Sequence, residues 1–120
     1  MNYDIQGAIA HFAAKQGFTT GPHELTGMID RKEDIVIVDV RFPTDFRKAH
    51  VPGAINLPKG KWHTVSGIDP DRRTVVYCYN QPCHLAAEAA VEFASRGIAA
   101  LEMEGGFDTW TKFGLAVETV

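Results

Sequence analysis

The sequence predicts an α/β domain, with a parallel sheet covered by helices on both faces. Three observations carry that prediction. Ile35-Val36-Ile37-Val38-Asp39-Val40 is an almost unbroken β-branched run, the pattern of a parallel strand buried on both sides. Thr74-Val75-Val76-Tyr77 is a second such run, ending at Cys78. Between and after these runs, apolar residues recur at helical spacing, so strands alternate with helices.

Taken in order, Ile5, Ala8, Ile9, Phe12 and Ala13 mark an amphipathic helix over about residues 4–15, ended by Gly17. Residues 18–20 suit a short edge strand. Pro22 then opens a helix to about Ile29, with Leu25, Met28 and Ile29 inward. The run 35–40 follows, then a short helix near 43–48. Ala54-Ile55-Asn56-Leu57 is a short strand bracketed by Pro52-Gly53 and Pro58. Residues 59–67 read as a helical turn, and Asp69-Pro70-Asp71 as turn chemistry. After the strand 74–77, Leu85, Ala86, Ala89, Ala90, Phe93 and Ala94 form the inner side of a helix over 84–96, stopped by Gly97. Residues 98–101 make a last strand. Gly105-Gly106 turns the chain into a closing helix over 107–113, with Trp110 in the core.

The chain has 120 residues, enough for one domain with its own core, and no linker-like stretch or repeat divides it. A composition of 45% hydrophobic and 22% charged residues is that of a folded globular chain. The net charge of −3 argues against a nucleic-acid or anionic-membrane surface as the main partner. No apolar run approaches bilayer length, and residues 1–10 lack the basic and apolar regions of an export signal, so a cytoplasmic protein is expected. With two cysteines only, Cys78 and Cys83, a disulfide-stapled secreted domain is not indicated, and the thiols are expected to be reduced.

The informative segment runs from Val75 to Ala86. A buried strand stops at Cys78, a loop follows, and a helix begins. Ligands of open parallel sheets bind at the carboxyl ends of the strands. A loop entering a helix aims backbone N–H groups at a common centre, which suits an anion. The expectation is therefore a Cys78 thiolate with a pKa below the free value of about 8.5, held by the amides of Tyr79, Asn80, Gln81, Pro82, Cys83 and His84 so far as each has one. The bland reading is a small buried hydrophobe; the polar loop and helix start favour reactivity. Cys83 reads equally as a resolving thiol or as a loop residue tucked under the helix start. His84 reads as a group that orients the thiolate or, when protonated, binds a substrate anion, or equally as an exposed helix-start residue, where the helix dipole favours a neutral imidazole. His11, His23, His50 and His63 are scattered and read as exposed or structural. No metal site is expected, because no second ligand pair has finger-like spacing.

Two further clusters complete the pattern. Asp39 and Arg41 have alternate side chains near a strand end, where an ion pair can brace the loops; the alternative is a surface pair of little weight. Val38-Asp39-Val40-Arg41 with Phe46, His50-Val51-Pro52-Gly53-Ala54-Ile55-Asn56 and Leu57-Pro58 resembles the first signature of the rhodanese homology domain. Val75-Val76-Tyr77-Cys78 with the following helix resembles that family's active-site strand and loop. Glu104-Gly105-Gly106-Phe107, Trp110 and Gly114 resemble its C-terminal signature. The resemblance covers roughly residues 18–118 and leaves the N-terminal helix as an addition to a single domain.

The resemblance implies a rhodanese-like sheet of roughly five parallel strands with helices on both faces. It implies a sulfurtransferase without cofactor: Cys78 accepts sulfane sulfur from thiosulfate or a persulfide, then passes it to cyanide, a thiol or a sulfur-accepting protein. Tyr79 to His84 match the six-residue active-site loop, with Asp39 and Arg41 supporting it. The loop departs from many members in lacking glycine, arginine and lysine, so backbone amides and His84 are left to bind the anion. A redox or protein-binding module using a Cys78/Cys83 dithiol is the alternative. A phosphatase or arsenate reductase needs an arginine six positions after the cysteine. His84 stands there, and a neutral imidazole does not replace the guanidinium fork.

Overall fold

The computed structural model describes residues 3–120. Its elements follow the chain as α1 (Ile5–Phe18), β1 (Thr19–Thr20), α2 (Pro22–Asp30), β2 (Ile35–Asp39), α3 (Pro43–Lys48) and β3 (Ile55–Asn56), then a 3₁₀ turn at Trp62–Thr64. The second half supplies β4 (Arg73–Tyr77), α4 (Leu85–Ser95), β5 (Ala100–Met103) and α5 (Gly106–Lys112). The strands form one five-stranded sheet in the order β1-β5-β4-β2-β3, every pair parallel. This is the expected α/β architecture, and it puts β4 at the centre of the sheet.

Strand alternation divides the core in two. Val36, Val38, Val40, Val76 and Cys78 face α4 and the 3₁₀ turn, packing with Trp62, Ala86, Ala89 and Phe93. Ile37, Val75, Tyr77, Leu101 and Met103 face the other way, onto Leu25 and Met28 of α2 and Trp110 of α5. Neighbours Tyr77 and Cys78 thus serve opposite sides of one strand end.

Two elements differ from expectation. The last strand begins two residues later, at Ala100. Ile98 belongs to the end of α4: its N–H reaches the Phe93 carbonyl at 2.9 Å and Gly97 N–H reaches Ala94 at 3.0 Å, with Gly97 at φ +86°. That is a Schellman stop, and its apolar residue after the glycine packs back under the helix. The first helix runs through Gly17 to Phe18, and none of its residues is buried. Its apolar stripe does not face the core of its own chain. Among the described residues no helix is long and apolar enough to cross a membrane.

Candidate functional site

Cys78 is the first residue beyond β4, at the carboxyl end of the central strand. The β-branched run before it has only one way to lie in a sheet covered on both sides. The following residues leave the ladder because a turn forms, with Cys83 N–H donating to the Asn80 carbonyl at 3.2 Å. Helix α4 starts at Leu85, with exposed His84 as its cap. Asn80, Gln81 and Pro82 form the exposed crest of the loop, while Tyr79 and Cys83 are half-buried.

The sulfur itself is not exposed. Cys78 is 2% accessible and packs in the α4-side core. Its S–H donates to the Cys83 carbonyl at 3.6 Å. The N–H groups of Ala86 and Tyr79 also face the sulfur and favour a thiolate. Burial, reinforced by the neighbouring Cys83 thiol, outweighs them and pushes the pKa up to about 12. The expectation of a pKa below the free value is therefore corrected. The loop holds no cation, and two amides do not offset the loss of water around the sulfur. The amides turned toward the sulfur are those of Tyr79 and of Ala86, which lies beyond the loop.

The loop side chains do different things from one another. The Tyr79 hydroxyl accepts from Phe42 N–H at 3.0 Å and donates to Asp45 at 2.5 Å, pinning the loop to the start of α3. The Gln81 side chain points to the β5–α5 connection, where its carbonyl accepts from Gly105 N–H at 2.5 Å and its amide meets Glu104 at 3.4 Å. The His84 imidazole is exposed. Among the described residues no cluster of His, Cys, Asp and Glu is arranged to hold a metal.

Beneath the loop lies a buried polar network. Asp39 and Arg41 are 0% and 4% exposed. Arg41 Nη2 is 2.7 Å from Asp39 Oδ2 and donates to the Ala49 carbonyl at 2.6 Å. Tyr77 donates its hydroxyl to Asp39 at 2.6 Å and accepts from Val51 N–H at 3.1 Å. The Asn56 amide closes the set by donating to the Asp39 and Arg41 carbonyls. The Arg41 guanidinium lies 4.0 Å from the Phe107 ring centroid and 5.7 Å from that of Tyr79. With Nε and Nη2 engaged by Asp39 and the Ala49 carbonyl, Arg41 braces the loop's foundation.

The loop's backbone is held from the other side by α5. Phe107 N–H donates to the Cys78 carbonyl and Asp108 N–H to that of Tyr79, each at 2.9 Å. This approach needs Gly106. A Cβ there would stand 2.6 Å from Asn80 N, 2.7 Å from Tyr79 C and 2.8 Å from the Cys78 carbonyl oxygen, and its φ is +63°.

Sequence reasoning singled out Asp39, Arg41 and Cys78 but missed Tyr77, Asp45, Ala86 and the reason for Gly106. Tyr77 had a signal. It sits opposite Asp39 in the parallel register, and alternation turns it away from Cys78. Asp45 and Ala86 meet the loop only through tertiary contact.

The profile described as "Rhodanese-like domain" matches residues 21–113. The probable adenylyltransferase/sulfurtransferase MoeZ of Mycobacterium tuberculosis is 32% identical over 111 residues, covering 88% of this chain but 28% of that protein. The thiosulfate sulfurtransferase GlpE of Pseudomonas fluorescens is 35% identical over 82 residues, covering 67% of this chain and 73% of GlpE. Among solved structures, the BH2092 protein of Bacillus halodurans superposes with a TM-score of 0.87 at 30% identity, over 95% of this chain and 85% of that one.

Proposed function

Because the chain belongs to the rhodanese-like domain family, we propose that it is a sulfurtransferase that carries sulfane sulfur on Cys78. The observation that carries this reading is the placement of one thiol at the carboxyl end of the central strand, with the amides of Tyr79 and Ala86 turned toward its sulfur. In the resting loop the sulfur is a neutral thiol. Opening the crest to a donor admits water, the proton leaves to solvent, and the Cys78 thiolate attacks the donor's outer sulfur. With a persulfide donor, the donor's S–S bond breaks, its thiolate leaves, and Cys78 holds the persulfide. With thiosulfate, sulfite leaves instead. A thiol or cyanide then takes the outer sulfur and returns Cys78 to the thiolate, with the two amides stabilising the sulfur anion.

The uncharged loop bears on the donor. Thiosulfate is a dianion, and no arginine or lysine stands in the loop to receive it. A small organic persulfide, with less charge to desolvate, suits the loop better. The acceptor is a small thiol or the thiol of a partner protein, and the reaction belongs to the cytoplasm, where both cysteines stay reduced.

Intact-mass spectrometry with a panel of donors tests the reading. One added sulfur is expected on the wild type and on Cys83→Ser, and none on Cys78→Ser. A wild type that gains no sulfur from any donor removes it. One contact favours a second reading. Cys78 donates to the residue that carries the other thiol, so the pair can cycle between dithiol and disulfide in a redox or binding module. Sulfur transfer that survives Cys83→Ser excludes the pair as the mechanism.

A further inference from the structure

The loop that seals Cys78 carries the chain's second thiol back to the first. Asn80 to Cys83 is a turn, closed by Cys83 N–H on the Asn80 carbonyl at 3.2 Å. It returns Cys83 to the strand end while Asn80, Gln81 and Pro82 stand out in solvent. Cys78 Sγ then meets the Cys83 carbonyl at 3.6 Å, and the Cys83 thiol neighbours the same sulfur. Cys83 packs on the α4-side core to which Cys78 belongs. Both thiols are free. Their burial differs: Cys78 is 2% accessible, whereas Cys83 is half-buried and keeps some access to water.

On the reading that Cys78 carries sulfane sulfur, we infer that Cys83 discharges the loaded site: its sulfur attacks Cys78 Sγ, a Cys78–Cys83 disulfide forms, and the outer sulfur leaves as hydrosulfide. The bond broken is the S–S bond of the persulfide. The proton of the Cys83 thiol passes to the departing sulfur. The outer sulfur is reduced to hydrosulfide, and the two cysteines are oxidised to the disulfide. Small thiols then restore the dithiol: one forms a mixed disulfide and a second resolves it. In sum, a persulfide donor and two thiols become the donor's thiol, hydrosulfide and one small disulfide.

Two features select this step over transfer of the outer sulfur to Cys83. The atom that meets Cys83 is Cys78 Sγ, and that atom is the inner sulfur once the persulfide forms. Attack on the outer sulfur would expel Cys78 as a thiolate, where burial disfavours the anion. Hydrosulfide, the anion of a stronger acid, is the better leaving group. A thiol from outside has to open the loop a second time to reach the site, whereas Cys83 is already in place. The internal step therefore has the advantage of a unimolecular reaction.

Single-turnover mass spectrometry of the full chain tests the assignment. Reduced wild type and Cys83→Ser are loaded with cysteine persulfide, desalted without oxygen, and followed by intact mass and a colorimetric sulfide assay. The wild type should shed its added sulfur as one hydrosulfide per chain. It should end two hydrogens lighter than the reduced protein, with Cys78 and Cys83 joined in the peptide map. Cys83→Ser should hold its sulfur at least roughly tenfold longer, and Cys83→Ala should match it. A wild type that keeps its sulfur as long as Cys83→Ser overturns the inference while leaving Cys78 a sulfur carrier. A peptide map with the added sulfur on Cys83 and no disulfide overturns it too. If neither chain takes up sulfur, the carrier reading itself falls, and the discharge step with it.

Discussion

The ionisation of Cys78 is the sharpest consequence of the closed loop. Burial raises its pKa from 9.0 to about 12. Three units are a thousandfold reduction in thiolate at any pH below 9. At pH 7 about one site in 10⁵ is ionised, against about 1% of a thiol at 9.0. Alkylation by iodoacetamide, followed peptide by peptide by mass spectrometry, reads this directly. The Cys78 rate should rise about tenfold per pH unit and still be rising at pH 9, and sulfur loading should climb with it. The same shift acts on stability. The folded pKa lies above the unfolded one, so the contribution is whole below about pH 9 and is lost as pH rises toward 12, by about 1.4 kcal/mol per unit. Cys78→Ser should lack that alkaline loss. A Cys78 rate that levels off below pH 8 would show a thiolate at neutral pH and refute the reasoning.

Three further outcomes are expected. Arg41→Leu leaves the buried Asp39 carboxylate without its partner; denaturant unfolding should show about 3–5 kcal/mol of lost stability, and a loss under 1 kcal/mol would mean that water compensates the charge. Gly106→Ala drives a methyl into the loop backbone within 2.6 Å of Asn80 N, so it should cost about 1–3 kcal/mol in a melting experiment and slow sulfur loading, whereas wild-type loading would show that the loop does not depend on that approach. Tyr79→Phe hands the exposed Phe42 N–H to water and frees Asp45; it should cost about 0.5–1.5 kcal/mol and speed Cys78 alkylation, and an unchanged alkylation rate would mean that the phenol does not hold the loop shut.

The strand pattern carried most of the fold. Ile35–Val40 and Thr74–Tyr77 have one environment they can occupy, and the element between them must cross over. What escaped was set by contacts that no local pattern encodes. Ile98 looks like a strand residue until Gly97 is seen to close a helix against Phe93. The Ile5–Ile9–Phe12 spacing announces a helix correctly, but periodicity says only that a face wants cover, not whose core supplies it. At the site, the strand end located Cys78, and the charge state of its sulfur did not follow. Anion-binding logic counted amides, whereas the outcome turned on how completely α4 seals the sulfur, a property of packing.

The seam at Gly106 separates what can vary in this site from what cannot. Phe107 and Asp108 clasp the chain at Cys78 and Tyr79 through main-chain atoms alone, so the clasp is blind to side-chain identity at Asn80, Pro82 and Cys83. The stretch behaves as an interchangeable cassette on a fixed mount. An arginine or glycine grafted into its crest would retune the choice of donor while the mount stays as it is.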